Sequence, residues 1–273
     1  MPVAIDSFGL TDKGKVREAN QDNFLIVDIK RSVDIRHSSL SEEALANRFG
    51  SVQAHLFAVA DGVGGGPDGE HASEGAIAAL LKYVSETVGC VNRLDASKEH
   101  ELFERLEETV RDVDKKLREE HAGKRGHAPA TTLTMVLLVW PRAYLVHVGD
   151  SRAYVRRRGR LQQMTRDQTF GEYMVSVGAW TEEQAARARP ADTLSSAIGG
   201  SELLPVVGLV DLEPGDSLML CTDGLTKHVT NERIATVMEK SNDVQAVGRQ
   251  LVDEALAGGG SDNVAVIVVS ARE

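Results

Sequence analysis

The chain is short of cysteine, short of positive charge and free of any long apolar run, and each shortage removes a class of protein. Its two cysteines, Cys90 and Cys221, stand far apart and neither has a partner at CxxC spacing, so neither a disulfide framework nor a cysteine zinc site is expected. Cys221 lies inside an apolar run and reads as a small core residue. Lysine and arginine number 31 against 41 aspartates and glutamates, a formal net charge of −10. Nucleic acid and anionic membranes both demand a basic face, so neither is an expected partner. The arginines at 156–158 and 160 lack interleaved aromatics beyond Tyr154 and read as a hairpin tip. No apolar stretch approaches the roughly 20 residues of a membrane span. Met1-Pro-Val-Ala-Ile-Asp lacks the basic-then-apolar pattern of a secretory signal. The expected compartment is the cytoplasm and the expected state a monomer.

What is present is an ordinary globular balance, 42% hydrophobic and 26% charged. The 273 residues could be two domains by length, but β-rich sandwiches of this size are often one, and one domain over 1–273 is expected. Strands are expected at 3–10, 23–29 and 55–60, with a polar surface excursion at 30–54. Ala76, Ile77, Leu80, Leu81, Val84 and Val88 share one face of a helix over about 70–88. Leu102, Phe103, Leu106, Val110, Val113 and Leu117 mark a second helix. Residues 131–140 and 143–149 form a hairpin through Pro141-Arg142, and 152–157 continues as a strand turning at Gly159. Residues 165–200 carry short helical pieces, with a capping box at Thr181-Glu-Glu-Gln184, and read as a flap. A strand at 216–222, helices from Thr230-Asn231 and over 243–256, and an apolar, central strand at 263–270 complete the chain. Adjacent hairpins with helices outside imply an α+β layered fold.

The apolar run ending at Asp61-Gly62-Val63-Gly64-Gly65-Gly66 has two counterparts, Leu218 to Asp223-Gly224 and Tyr144 to Gly149-Asp150. The glycines read as tight turns after the strands. Asp61, Asp150 and Asp223 follow strand C-termini, whereas Asp22 and Asp262 precede strand N-termini. In antiparallel sheets those ends are neighbours, so all five carboxylates can share one rim. Any one of them alone reads as a turn or capping residue. Five together read as a site, because clustered carboxylates are costly unless a cation pairs with them. Oxygen ligands without His or Cys favour Mg²⁺ or Mn²⁺ over zinc. Two such ions could activate a water and clamp a phosphate. Arg17, five residues before Asp22, could hold phosphate oxygens or be a plain surface charge. Gly64-Gly65-Gly66 is a weak phosphate-cradle signal. His147 alternates with Val146 and Val148 and reads as a satisfied strand residue; His71 heads a helix and its role is open.

Taken in order, Arg17-Glu-Ala-Asn-Gln-Asp22, Asp61-Gly62-Val-Gly-Gly, Thr131-Thr132-Leu, Val148-Gly-Asp150-Ser-Arg152, Thr165-Arg-Asp-Gln-Thr169, Ala197-Ile-Gly-Gly200, Asp223-Gly224-Leu and Ser261-Asp262-Asn263 span nearly the whole chain. The set resembles the metal-dependent protein phosphatases, the type 2C serine/threonine phosphatases, and their bacterial members in particular. The resemblance implies a central antiparallel β-sandwich flanked by helices on both faces. It implies that Asp61 bridges two metals, that the Gly62 carbonyl binds one of them, and that Asp22, Asp223 and Asp262 complete the pair. Asp150 would join Asp223 around a weaker third ion. Arg17 would bind the substrate phosphate, and 165–200 would be the flap beside the active site. Two departures stand out. Val63 replaces the histidine that many members carry after Asp-Gly as general acid, and Gln168 stands where a flap histidine is common.

The expected activity is hydrolysis of phosphoserine and phosphothreonine in proteins by direct attack of a metal-bridged hydroxide, with Asp61, Asp223 and Asp262 as the catalytic carboxylates. Expected substrates are phosphorylated proteins, a serine/threonine kinase and its targets among them. A phosphoprotein-binding pseudophosphatase is the alternative that Val63 motivates. A metal-dependent nuclease is a weaker one, disfavoured by the acidic balance.

Overall fold

The computed structural model describes residues 3–30, 52–63, 67–88, 96–122, 129–188 and 190–272. Within them the chain runs β1 (Ala4–Asp12), β2 (Asp22–Lys30), β3 (Val52–Val63), α1 (Pro67–Val88), α2 (Ala96–His121), β4 (Ala130–Thr131), β5 (Leu133–Val139), β6 (Arg142–Val148), β7 (Arg152–Arg157) and β8 (Arg160–Gln163). It continues through α3 (Phe170–Ser176), α4 (Glu182–Arg187), β9 (Val206–Asp211), β10 (Ser217–Cys221), α5 (Asp223–Thr226), α6 (Asn231–Lys240), α7 (Val244–Ala257) and β11 (Val264–Arg272). Two antiparallel sheets result, one ordered β1-β11-β10-β7-β8 and the other β2-β3-β5-β6-β9, with β4 added to β3.

Alternation along the strands explains why the sheets stack with helices outside. On β3, Phe57 and Val59 face the other sheet, whereas Leu56, Ala58 and Ala60 face the helical side. On β11, Ile267 and Val269 point between the sheets and Val264, Val266 and Val268 point outward under α6 and α7. Side chains of a strand alternate between faces, so a strand covered on both sides must be apolar at every step. That is why β11, between β1 and β10, is buried from Val264 to Ala271. Leu80 of α1 and Leu106 and Val110 of α2 seal the outer face of the second sheet. Leu251 of α7 and Ile234 of α6 seal that of the first. Phe57, Val59, Leu220 and Ile267 in the middle layer have no exposed surface. Each contributes about 1.5–3 kcal/mol by leaving water. The architecture is the expected α-β-β-α sandwich.

Local signals hold up well. α4 carries the capping box, with Thr181 accepting from the Gln184 N–H and the Gln184 side chain accepting from the Thr181 N–H. Arg158 and Gly159 take positive φ at the β7–β8 turn. Arg157 reaches back from this tip to Asp216 (2.6 Å). His147 is buried between Thr134 Oγ1 (2.9 Å) and the Arg166 carbonyl (3.1 Å). Cys221 is a free core residue, its thiol pushed up to about 12 by burial.

Four expectations need correction. β3 begins at Val52, so the end of the 30–54 excursion is strand; residues 31–51 lie outside the described residues. β3 also runs on through Asp61 and Gly62 to Val63, because that end leaves β5 and pairs with β4, Gly62 opposite Thr131. Asp61 is therefore inside a strand. β9 was not expected: only partly buried at the sheet edge, Val206–Asp211 shows no clean alternation, and it is held by pairing with β6. Asp223 opens the one-turn α5 where no helix was expected. Gly64-Gly65-Gly66 and Cys90 lie outside the described residues.

Candidate metal centre

The first pair of carboxylates comes from the second sheet. Asp22 opens β2 and stands in register opposite Asp61 of β3. The Asp61 main chain is clamped from the β4 side: its N–H donates to Thr132 Oγ1 (3.0 Å), and its carbonyl accepts from the Thr132 N–H (2.9 Å) and Thr131 Oγ1 (3.0 Å). This is what the Thr131-Thr132 motif does. Gly62 is explained by proximity and not by a turn: its N–H donates to the Gln21 carbonyl (3.2 Å), and a Cβ there would run into the Gly69 carbonyl of α1.

The second pair comes from the first sheet. Asp223 begins α5 directly after β10, and Asp262 stands just before β11. Thr222 Oγ1 donates to Asp22 Oδ2 (2.7 Å) and accepts from the Ala265 N–H (2.8 Å), so one hydroxyl stitches the two sheets together at this rim. Asn263 fixes the loop that carries Arg17. Its amide nitrogen donates to the carbonyls of Lys13 and Ala19 and its oxygen accepts from the Gln21 N–H. Asp150 lies in the turn between β6 and β7, where the chain crosses from one sheet to the other. Gln168 holds that turn, its side-chain oxygen accepting from the Gly149 N–H and its nitrogen donating to the Leu204 carbonyl, both at 2.8 Å. Arg152 and Asp167 form a forked ion pair with contacts of 2.6–3.1 Å. The two motifs that contain them are thus one structural unit.

Asp61, Asp150, Asp223, Asp262 and Arg17 line a single open cavity, which Asp192, Thr193, Leu194, Ala197 and Gly199 of the 165–200 segment also line. Asp22 is buried immediately behind them. Burial, then repulsion from Asp22, Asp223 and Asp150, pushes the Asp61 carboxyl well above the usual range. Burial also raises Asp22 and Asp150, each to about 7, with Asp223 repelling both. Asp223 is raised by burial against the pull of Lys227. At Asp262 burial is outweighed by hydrogen bonds from Arg17 and Lys227, and its carboxyl falls below the usual range.

Arg17, expected at a phosphate, is instead seated on a carboxylate, Nε to Asp262 Oδ1 at 2.7 Å and Nη2 to Oδ2 at 2.9 Å. Lys227, which the sequence reading passed over, bridges Asp223 (2.5 Å) and Asp262 (2.7 Å). Among the described residues, no three acid, histidine or cysteine side chains are arranged to hold a metal ion as they stand. The residues nevertheless fit one. Oδ1 of Asp22 and Oδ1 of Asp223 are buried without a hydrogen-bond partner, and such orphaned acceptors call for a cation. The donors that meet here are carboxylate oxygens, the preference of Mg²⁺ and Mn²⁺.

Comparison with known proteins agrees with this geometry. Residues 34–257 match the family model of protein phosphatase 2C. The chain is 34% identical over 239 residues to the serine/threonine protein phosphatase PstP of Mycobacterium tuberculosis, an alignment covering 86% of this chain and 44% of that protein. It thus spans less than half the length of that relative. Its backbone is similar to that of the Streptococcus agalactiae serine/threonine phosphatase, with 28% identity, a TM-score of 0.81 and coverage of 99% of this chain and 100% of the other. It is also similar to the catalytic domain of PstP in complex with two manganese ions, with 28% identity, a TM-score of 0.75 and full coverage of both chains. A family match over most of the length and a shared sandwich lead to one conclusion: the chain belongs to the protein phosphatase 2C family.

Proposed function

We propose that this chain is a metal-dependent serine/threonine phosphoprotein phosphatase. The observation that carries the proposal is the meeting of Asp61, Asp223 and Asp262 at a cavity that also contains Arg17, with Asp22 buried opposite Asp61 and orphaned buried oxygens on Asp22 and Asp223. Side chains of Asp22, Asp61, Asp223 and Asp262 and the carbonyl of Gly62 would hold two divalent cations, with Asp150 and Asp223 holding a weaker third. When bound, Mn²⁺ or Mg²⁺ supplies Lewis acidity and an activated water for hydrolysis of a phosphate monoester. The manganese-bound relative supports this ion class.

The chain's own residues supply orientation and charge. Thr131 and Thr132 fix the Asp61 backbone, and Thr222 fixes Asp22, so the ligands are preorganised by hydrogen bonds to rigid strands. Arg17 has the planar fork that holds two phosphate oxygens, and once Asp262 is engaged by a cation its guanidinium is free to take them. Val63, 37% exposed beside the Asp61-Gly62 pair, offers no proton, so the leaving serine or threonine oxygen draws its proton from water. The wall built from 165–200 is the flap that contacts the polypeptide around the phosphoresidue. Substrates are phosphorylated proteins, a serine/threonine kinase among them, and a single catalytic unit acts in the cytoplasm as a monomer. No helix among the described residues is long and apolar enough to cross a membrane, which is compatible with that placement.

The test is release of phosphate from p-nitrophenyl phosphate and from a phosphothreonine peptide by purified protein in Mn²⁺, abolished by chelator. Folded, Mn²⁺-bound protein that binds the phosphopeptide without turning it over would make the chain a pseudophosphatase and sink the proposal.

A further inference from the structure

Among the described residues of this rim, Lys227 is the cation that touches two of the carboxylates, and its presence runs against a simple metal site. It lies one turn after Asp223, at the C-terminal end of α5, so its side chain folds back over the start of the same short helix. Its ammonium is 2.5 Å from Asp223 Oδ2 and 2.7 Å from Asp262 Oδ2. These two carboxylates belong to different chain segments, one following β10 and the other preceding β11, at the same end of that antiparallel pair. The lysine is therefore a cross-tie as well as a counter-charge. The ammonium is reached by solvent, at 38% exposure, whereas the carboxylates it joins are 18% and 13% exposed. Asp262 has no spare oxygen: Oδ1 accepts from Arg17 Nε and the Asn263 N–H, and Oδ2 from Arg17 Nη2 and Lys227 Nζ.

We propose that Lys227 is an internal stand-in for the metal, holding Asp223 and Asp262 together in metal-free protein and giving them up when ions bind. The inference rests on the metal-site reading above. An ammonium is a compact charge on a flexible stem, and it can swing out of the cavity without disturbing the backbone. A cation that enters displaces the ammonium from both carboxylates, so Lys227 weakens metal affinity by the same free energy with which it stabilises the metal-free fold. The linkage between the two is reciprocal. Were Lys227 an ordinary surface ion pair of α5, it would favour the metal-free and metal-bound folds equally.

Lys227→Met keeps the length of the stem and removes the charge. Its Mn²⁺ affinity, measured by calorimetry, should be about tenfold tighter than that of the parent chain. Its melting temperature should fall in chelator yet match the parent in saturating Mn²⁺. Lys227→Arg, which keeps the charge, should melt like the parent in chelator. Lys227→Gln makes the same comparison should the methionine variant fail to accumulate as folded protein. Unchanged or weaker Mn²⁺ binding, with an equal loss of melting temperature in both states, would overturn the inference and leave an ordinary ion pair. A parent chain that binds no Mn²⁺ at all would overturn the metal-site reading itself, which is a separate and recognisable result.

Discussion

Asp22 and Asp61 occupy directly opposed positions across the β2–β3 pair, two carboxylates side by side on one rim. Like charges opposed on neighbouring strands are destabilising, and both groups are raised above the ordinary carboxylate range. Asp61→Asn should therefore melt several degrees higher than the parent in chelator while losing at least about a hundredfold in turnover. Differential scanning calorimetry and a phosphate-release assay check both halves. A variant that keeps its turnover would move the catalytic site elsewhere.

Arg17 is half exposed and touches Asp262 alone among the acids of the cavity, so it is poised to change partners. Arg17→Ala should raise KM for a phosphopeptide by about tenfold or more with a smaller effect on kcat, since a charge-assisted fork on the phosphate is lost. Steady-state kinetics at saturating Mn²⁺ measure it, and an unaltered KM would remove Arg17 from substrate binding.

Gly224 packs so closely under the Asn263 carbonyl that a methyl group would collide with main chain, which cannot rotate away. Gly224→Ala should cost about 1–3 kcal/mol of stability. It should also impair Mn²⁺ binding, because the shift moves Asp223 and the Asp262-Asn263 turn apart. Denaturant melts and calorimetric titration with Mn²⁺ test the two effects. A variant as stable and as metal-competent as the parent would show that the contact relaxes without cost.

Burial depresses His147 below its ordinary value of 6.5. The unfolded chain therefore binds a proton here that the folded chain resists, and stability from this group is present above pH 6.5 and lost as pH falls below it. The raised carboxylates of the rim push stability the other way over the same window, so the measure is a difference: the melting temperature of His147→Gln relative to the parent should rise on acidification. Parallel pH profiles for the two proteins would show that the imidazole is not the source.

Much of this was legible in the sequence for reasons the structure makes plain. The apolar text of 263–270 forecast a central strand, and the five strand-end aspartates forecast a shared rim because antiparallel pairing brings opposite ends together. What was hidden depends on contacts between distant segments. Gly62 and Gly224 look like turn formers, yet each serves a close approach by a main chain far away in sequence. β9 is partly exposed at an edge, so its residues carry no periodic signature. Lys227 follows a stretch where no helix was expected, so its spacing of four from Asp223 carried no signal until the short α5 brought the two together. Gln168 was noted only for the histidine it replaces, whereas it fastens the Asp150 turn.

The hydroxyl of Thr222 reaching Asp22 marks the seam where the two layers of the sandwich meet, and Asp22 and Asp61 belong to one layer, Asp223 and Asp262 to the other. An ion lodged there is a rivet through both plates. If both pairs hold it as proposed, prising the layers apart would strip it of one layer's ligands at once, and occupancy of the centre and cohesion of the whole molecule would rise and fall together.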